Sequence, residues 1–111
     1  MTEADLQAAV IDLAHVMGFR VAHFRAAQNS KVIWRTPVAA DGAGFPDLIL
    51  VRPGQCIVAE LKSSTGTLSP AQRAWINAFE CAGISAFVFR PEHWENGQIL
   101  HVLQQVPVTS R

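Results

Sequence analysis

The sequence predicts an α/β domain in the order helix, strands, helix, strand, with helices able to cover both faces of a sheet. Three observations lead there. Apolar residues recur at helical spacing near the start of the chain. Two almost unbroken apolar runs, Leu48-Ile49-Leu50-Val51 and Cys56-Ile57-Val58-Ala59, follow one another across Pro53-Gly54. A strong helix start, Ser69-Pro70-Ala71-Gln72, then leads to a further apolar run at residues 84–89.

The first helix is expected over residues 3–16. Thr2 is a good N-cap, with Asp5 three residues on as its capping-box partner. Leu6, Val10, Leu13 and Met17 form the apolar stripe, and Gly18 supplies the stop. At ~100° per residue Glu3 falls on that stripe, whereas Asp5 and Asp12 fall opposite. Glu3 is therefore expected to point inward. Complementing the helix dipole accounts for an acid in the first turn but not for that azimuth. Residues 20–24 alternate weakly and read as a strand, and residues 32–35 as a second short one. Residues 36–45, rich in Gly, Pro and Ala, read as a loop. Strands are expected over 47–52 and 55–62. Ser69 at the N-cap, Pro70 at the first helical position and Gln72 at the third begin a helix that carries Trp75, Ile76 and Phe79 and stops at Gly83. Residues 84–89 read as a buried strand, 91–96 as a short helix or turn, and 99–103 as ambiguous.

The 111 residues, half of them apolar, suit one domain over 1–111 with enough apolar material for a core. No stretch approaches the ~18 uninterrupted apolar residues of a membrane helix. The polar start Met-Thr-Glu-Ala-Asp argues against a secretory signal. Cys56 and Cys81 are too few for a disulfide scaffold and too far apart for a zinc knuckle; they read as apolar filling in a reducing cytoplasm. A net charge of zero argues against a non-specific nucleic-acid coat protein. The distribution is uneven, however. Between Asp12 and Asp41 there is no acid, but there are Arg20, Arg25, Lys31 and Arg35. These form either a solvated loop and strand edge or a phosphate-contacting face.

Against this background Asp47, Glu60 and Lys62 are anomalous. Each adjoins an apolar strand, where an unpartnered charge is costly. A two-residue loop at Pro53-Gly54 pairs Arg52 with Gln55 and, further along, puts Asp47 opposite Glu60, with Cβ atoms ~5 Å apart. Lys62, two residues on from Glu60, projects from the same face. A four-residue loop keeps this register; a three-residue loop puts Asp47 opposite Leu61 instead. Pro53 does not suit the favoured tight hairpin turns, so the register hangs on that loop. Adjacent carboxylates repel without a cation. Oxygen ligands in a wet cleft favour Mg²⁺ or Mn²⁺ over zinc, and the chemistry that fits is phosphodiester hydrolysis. Lys62 could orient water or offset charge developing in the transition state, and Glu3 could hold a second metal or a metal-bound water.

These residues resemble the VRR-NUC branch of the PD-(D/E)XK nuclease superfamily. The resemblance runs through Gly44-Phe45-Pro46-Asp47-Leu48, Glu60-Leu61-Lys62 and Gly66-Thr67-Leu68-Ser69-Pro70-Ala71-Gln72, with Glu3 and Gln7 fitting the family's opening helix. It implies a restriction-endonuclease-like core, a mixed central β-sheet flanked by helices, and Mg²⁺- or Mn²⁺-dependent cleavage of DNA. By the same resemblance Asp47 and Glu60 match the metal carboxylates, joined by the Leu61 carbonyl. Lys62 matches the catalytic lysine, Glu3 the first-helix acid and Gln72 the glutamine of the next helix. Small stand-alone members suggest a homodimer acting on branched DNA such as Holliday junctions. Ser63-Ser64-Thr65 lacks the basic residues often found after the lysine. Gln72 is equally well explained as a capping-box residue.

Other residues carry less. His15, His23, His93 and His101 have no metal-pair spacing, and His23 reads as an ordinary strand histidine. Gly42 and Gly44 lack a P-loop lysine and read as flexible glycines of a substrate loop. Trp34, Trp75 and Trp94 could stack on bases, with core or interface packing the stronger expectation. The rival functions are a non-catalytic DNA-binding or scaffold module and a regulatory interaction protein.

Overall fold

The computed structural model describes residues 1–24 and 40–105. The expected strand at 32–35, the first four residues (36–39) of the expected loop at 36–45, and Arg25, Lys31, Trp34 and Arg35 lie outside the described residues. The elements are α1 (Glu3–Val16), β1 (Arg20–His23), β2 (Leu48–Arg52), β3 (Gln55–Leu61), α2 (Pro70–Cys81), β4 (Ser85–Phe89), α3 (Pro91–Glu95) and α4 (Gln98–Gln104).

Helix α1 starts where its cap predicts. The Thr2 hydroxyl accepts from the Asp5 N–H at 3.0 Å, and the Asp5 carboxylate accepts from the Thr2 N–H at 2.9 Å. Its stripe buries Leu6, Val10 and Ala14, with Leu13 and Met17 packed beside them. The ambiguous segment 99–103 is helical. Ile99 and Leu103, one turn apart, bury one edge of α4 in the same core.

The four strands stand in the order β1-β2-β3-β4. The first two pairings are antiparallel and β3–β4 is parallel, as a crossover through α2 requires. The β2–β3 register runs from Arg52 opposite Gln55 to Leu48 opposite Ala59, so the loop has two residues. Pro53 supplies the fixed φ, and Gly54 the φ of +80° that a type II turn demands at its third position. Although type II is not a preferred hairpin turn, the register holds, and a hydrogen bond of 2.7 Å from Arg52 Nε to Gln55 Oε1 ties the strands beside it.

Strand alternation sorts the sheet into two faces. Leu48, Leu50, Ile57, Ala59, Leu61 and Phe89 join Leu6, Val10, Ile99 and Leu103 in one core. At about 1.5–3 kcal/mol for each large side chain, this is the main stabilising mass of the fold. The other face carries Ile49, Val58 and Ala86 and is covered by α2, which packs on β4. No helix among the described residues is long and apolar enough to cross a membrane.

Candidate metal and phosphodiester site

Because Leu48 and Ala59 are paired and face the α1 core, their neighbours Asp47 and Glu60 must face the α2 side together. Asp47 precedes β2 by one residue. The β1–β2 ladder continues past it, with the Phe24 N–H donating to the Asp47 carbonyl at 2.8 Å. Its side chain turns to the next strand, where Oδ2 accepts the Leu61 N–H at 2.8 Å. Residues along a strand point their N–H and C=O to the same side, so the Leu61 carbonyl is directed at the chain position of Pro46, which has no N–H to give.

Glu60 is 3% exposed, the one charged residue in the buried set among the described residues. Its carboxyl is pushed up to about 8, first by burial and then by the Asp47 carboxylate; nearby Lys62 pulls it back part of the way. A hydrogen bond to Asp47 and the Glu3 charge add to the rise. Lys62 follows β3 directly and extends the parallel ladder, its N–H donating to the Phe89 carbonyl at 3.0 Å.

The expected choice for Gln72 between capping and the site is not a choice. Its Oε1 accepts the Ser69 N–H at 2.8 Å, its N–H donates to Ser69 Oγ at 3.1 Å, and its Nε2 donates to Glu60 Oε2 at 3.0 Å. A backbone N–H can only donate, so the cap fixes which end of the amide faces the carboxylate.

The segment before Asp47 seats α2. Gly44 has φ +81°, and a Cβ there would lie 2.6 Å from the Ala71 carbonyl carbon and 2.8 Å from the Gln72 nitrogen. It is therefore a close-packing glycine, not the flexible loop glycine expected. Phe45 stacks edge-on against Phe24, Trp75 and Phe79 at centroid distances of 5.2, 4.9 and 5.8 Å. The Trp75 indole donates to the Asp41 carbonyl at 3.0 Å beside an open groove of about 310 Å³ lined by alanines of α2.

A family model for the VRR-NUC domain matches residues 21–92. The chain belongs to the VRR-NUC family. A solved structure described as a VRR_NUC domain protein superposes with a TM-score of 0.63 at 23% identity, covering 94% of this chain and 87% of that one. At that identity the likeness speaks for the fold, which is α/β and restriction-endonuclease-like, a mixed sheet flanked by helices. No curated protein matches the sequence.

The structure thus brings together Asp47, Glu60, Lys62 and Gln72 as the candidate site, with the Leu61 carbonyl at its edge. Glu3 is placed differently from expectation. It is exposed, and its helix packs on the opposite face of the sheet, so it reaches Glu60 through its charge and not as a buried ligand. Among the described residues no three His, Cys, Asp or Glu side chains gather as a metal-holding group. Arg20 is exposed on the Asp47 face but four residues back along the ladder, about 13 Å from the carboxylate row. His23 pairs with Leu48 and faces away from the site. Cys81 is exposed, so it is not the apolar filler expected, and Cys56 is half-buried.

Two residues escaped the sequence reading. Arg90 donates from Nη1 to the carbonyls of Ser63 and Gly66, both at 2.7 Å. Arg52 donates to the carbonyls of Met17, Leu103 and Gln105 at 2.8, 3.0 and 2.8 Å and lies 4.2 Å over the Phe19 ring. Both act on distant backbone oxygens, which leave no motif.

Proposed function

We propose that the protein is a Mg²⁺- or Mn²⁺-dependent endodeoxyribonuclease acting on duplex or branched DNA, Holliday junctions among them. The observation that carries this reading is the buried Glu60 held beside Asp47 with Lys62 on the same face. Membership of a nuclease family supports it.

The donor set fits a hard divalent cation. Asp47 and Glu60 offer carboxylate oxygens, the Leu61 carbonyl is aimed where Pro46 cannot bind it, and Glu3 contributes negative charge from farther out, through water. Such a cation, when bound, supplies Lewis-acid polarisation of the phosphate and activation of water. The residues do the rest. Asp47 is fixed in orientation by the Leu61 N–H. Gln72 hydrogen-bonds one Glu60 oxygen and leaves the other for the cation. Lys62 offsets charge that develops on the phosphate and orients the attacking water. Arg20, with Arg25, Lys31 and Arg35, contacts phosphates farther along the strand. As a homodimer the protein would present two equivalent sites, which suits a substrate with two symmetric strands.

Purified protein and an Asp47→Ala variant should be incubated with duplex, flap and four-way-junction DNA in Mg²⁺, Mn²⁺ or EDTA. Wild-type cleavage that needs the metal and disappears in the variant is expected. Cleavage that survives EDTA or the substitution overturns the mechanism. DNA binding without cleavage on any substrate favours a non-catalytic DNA-binding or scaffold module.

A further inference from the structure

The turn that follows Lys62 is built with more care than a surface connection needs. The Gly66 N–H donates to Ser63 Oγ at 3.0 Å. A Cβ on Gly66 would lie 3.1 Å from that hydroxyl and 3.5 Å from Lys62 Cδ, so the turn lies directly along the lysine stem. One guanidinium nitrogen of Arg90 closes it, donating to both the Ser63 and Gly66 carbonyls. Arg90 is itself held. It follows β4, and its N–H donates to His93 Nδ1 at 2.9 Å at the start of α3. A second tie runs from Ser64 Oγ to Glu92 on α3 at 3.0 Å.

A lysine is a compact charge on a four-carbon stem with about 2 kcal/mol of rotamer entropy. An ammonium that must meet a phosphate gains from any contact that narrows the directions its stem can take. We infer that Arg90 is a positioning residue for Lys62: by clamping the 63–66 turn against the stem, it aims the ammonium at the Asp47–Glu60 cleft. This rests on the endonuclease reading above and adds to it a residue that touches neither substrate nor metal. Its guanidinium chemistry suits the task, since one planar, permanently charged group can serve two carbonyls at once.

The test is a double-mutant cycle read by single-turnover cleavage at saturating DNA and Mn²⁺, with wild type, Arg90→Gln, Lys62→Ala and the double variant. Arg90→Gln should slow cleavage by about tenfold to a hundredfold. Affinities for DNA and Mn²⁺ should stay within about twofold of wild type. In the Lys62→Ala background the same change should cost less than about twofold, because the group it positions is gone. An undiminished cost in that background overturns the proposal. Should Arg90→Gln melt below the assay temperature, Arg90→Lys keeps a cationic donor and should restore most of the rate; failure to do so counts against the clamp. Hydrogen exchange at the Gly66 amide reads the clamp without any catalysis. Protection should fall in Arg90→Gln, and unchanged protection overturns the clamp. A wild-type protein that cleaves no DNA instead overturns the endonuclease reading and Arg90's catalytic purpose with it, a result distinct from an additive cycle.

Discussion

The two ends of the β2–β3 hairpin hold charge in opposite ways. At the turn end, Arg52 meets three backbone carbonyls, the Gln55 side chain and the Phe19 ring. It ties the end of α1 to the end of α4 and is satisfied by what surrounds it. At the open end, Asp47 and Glu60 face each other. Burial and mutual repulsion drive Glu60 up to about 8, with Lys62 as counterweight. The first cluster is satisfied by its neighbours, whereas among the described residues the second leaves two facing carboxylates with Glu60 raised well above its ordinary value. Structural charge is recognised by its local satisfaction, and functional charge by a demand the fold leaves open.

Exchanging the two cations should separate the two ends most sharply. Lys62→Met should lower cleavage by about 10²–10³-fold and leave the melting temperature near wild type. Arg52→Met should cost about 3 kcal/mol in denaturant unfolding yet keep cleavage per folded molecule. If both variants lose stability, or both lose only activity, the distinction between the ends fails.

Gly44→Ala comes next. A φ of +81° and a Cβ within 2.8 Å of α2's first turn predict a loss of about 2–4 kcal/mol. The change should also loosen the Gln72 contact with Glu60, so cleavage should fall further than the unfolded fraction explains. A variant as stable as wild type would mean that α2 is seated some other way.

The smallest effect is on pH. Glu60 binds its proton more tightly in the folded chain than at its ordinary value of 4.5, so the folded state holds more protons between that value and about 8. Glu60's contribution to metal-free stability should therefore be greatest below about 4.5, decline as the pH rises, and level off above about 8. Glu60→Gln, which keeps an oxygen for the Gln72 amide, should flatten that decline. Saturating Mn²⁺ should restore stability at pH 8 in wild type and not in the variant. A difference between wild type and Glu60→Gln that does not fall over this range would contradict the burial of Glu60.

What could be read from sequence was what local chemistry specifies. Helix α1 begins after Thr2 and α2 after Ser69 because hydroxyl caps act within three residues. The Asp47–Glu60 register followed from two residues of turn. Glu3 shows the limit of periodicity. Its azimuth predicted an inward side chain, but Glu3 is exposed and its helix lies against the face that Asp47 turns away from, and no spacing reveals which face a helix takes. Segment 99–103 had no cap and too few turns for a periodic signal, and tertiary burial of Ile99 and Leu103 decided it. Gly44, Arg52 and Arg90 depend on partners between about 24 and 53 residues away, so their roles exist only in the folded chain.

The proline at position 46 has a consequence for turnover. At that place the β2–β3 ladder has no rung to lose, since an imide nitrogen donates nothing to the Leu61 carbonyl. A cation that used that oxygen, as proposed above, would arrive and leave without opening the sheet. Loading and emptying of such a site would then be separated from the breathing of the scaffold, with the exchange rate set by hydration of the cation and not by unfolding of its host.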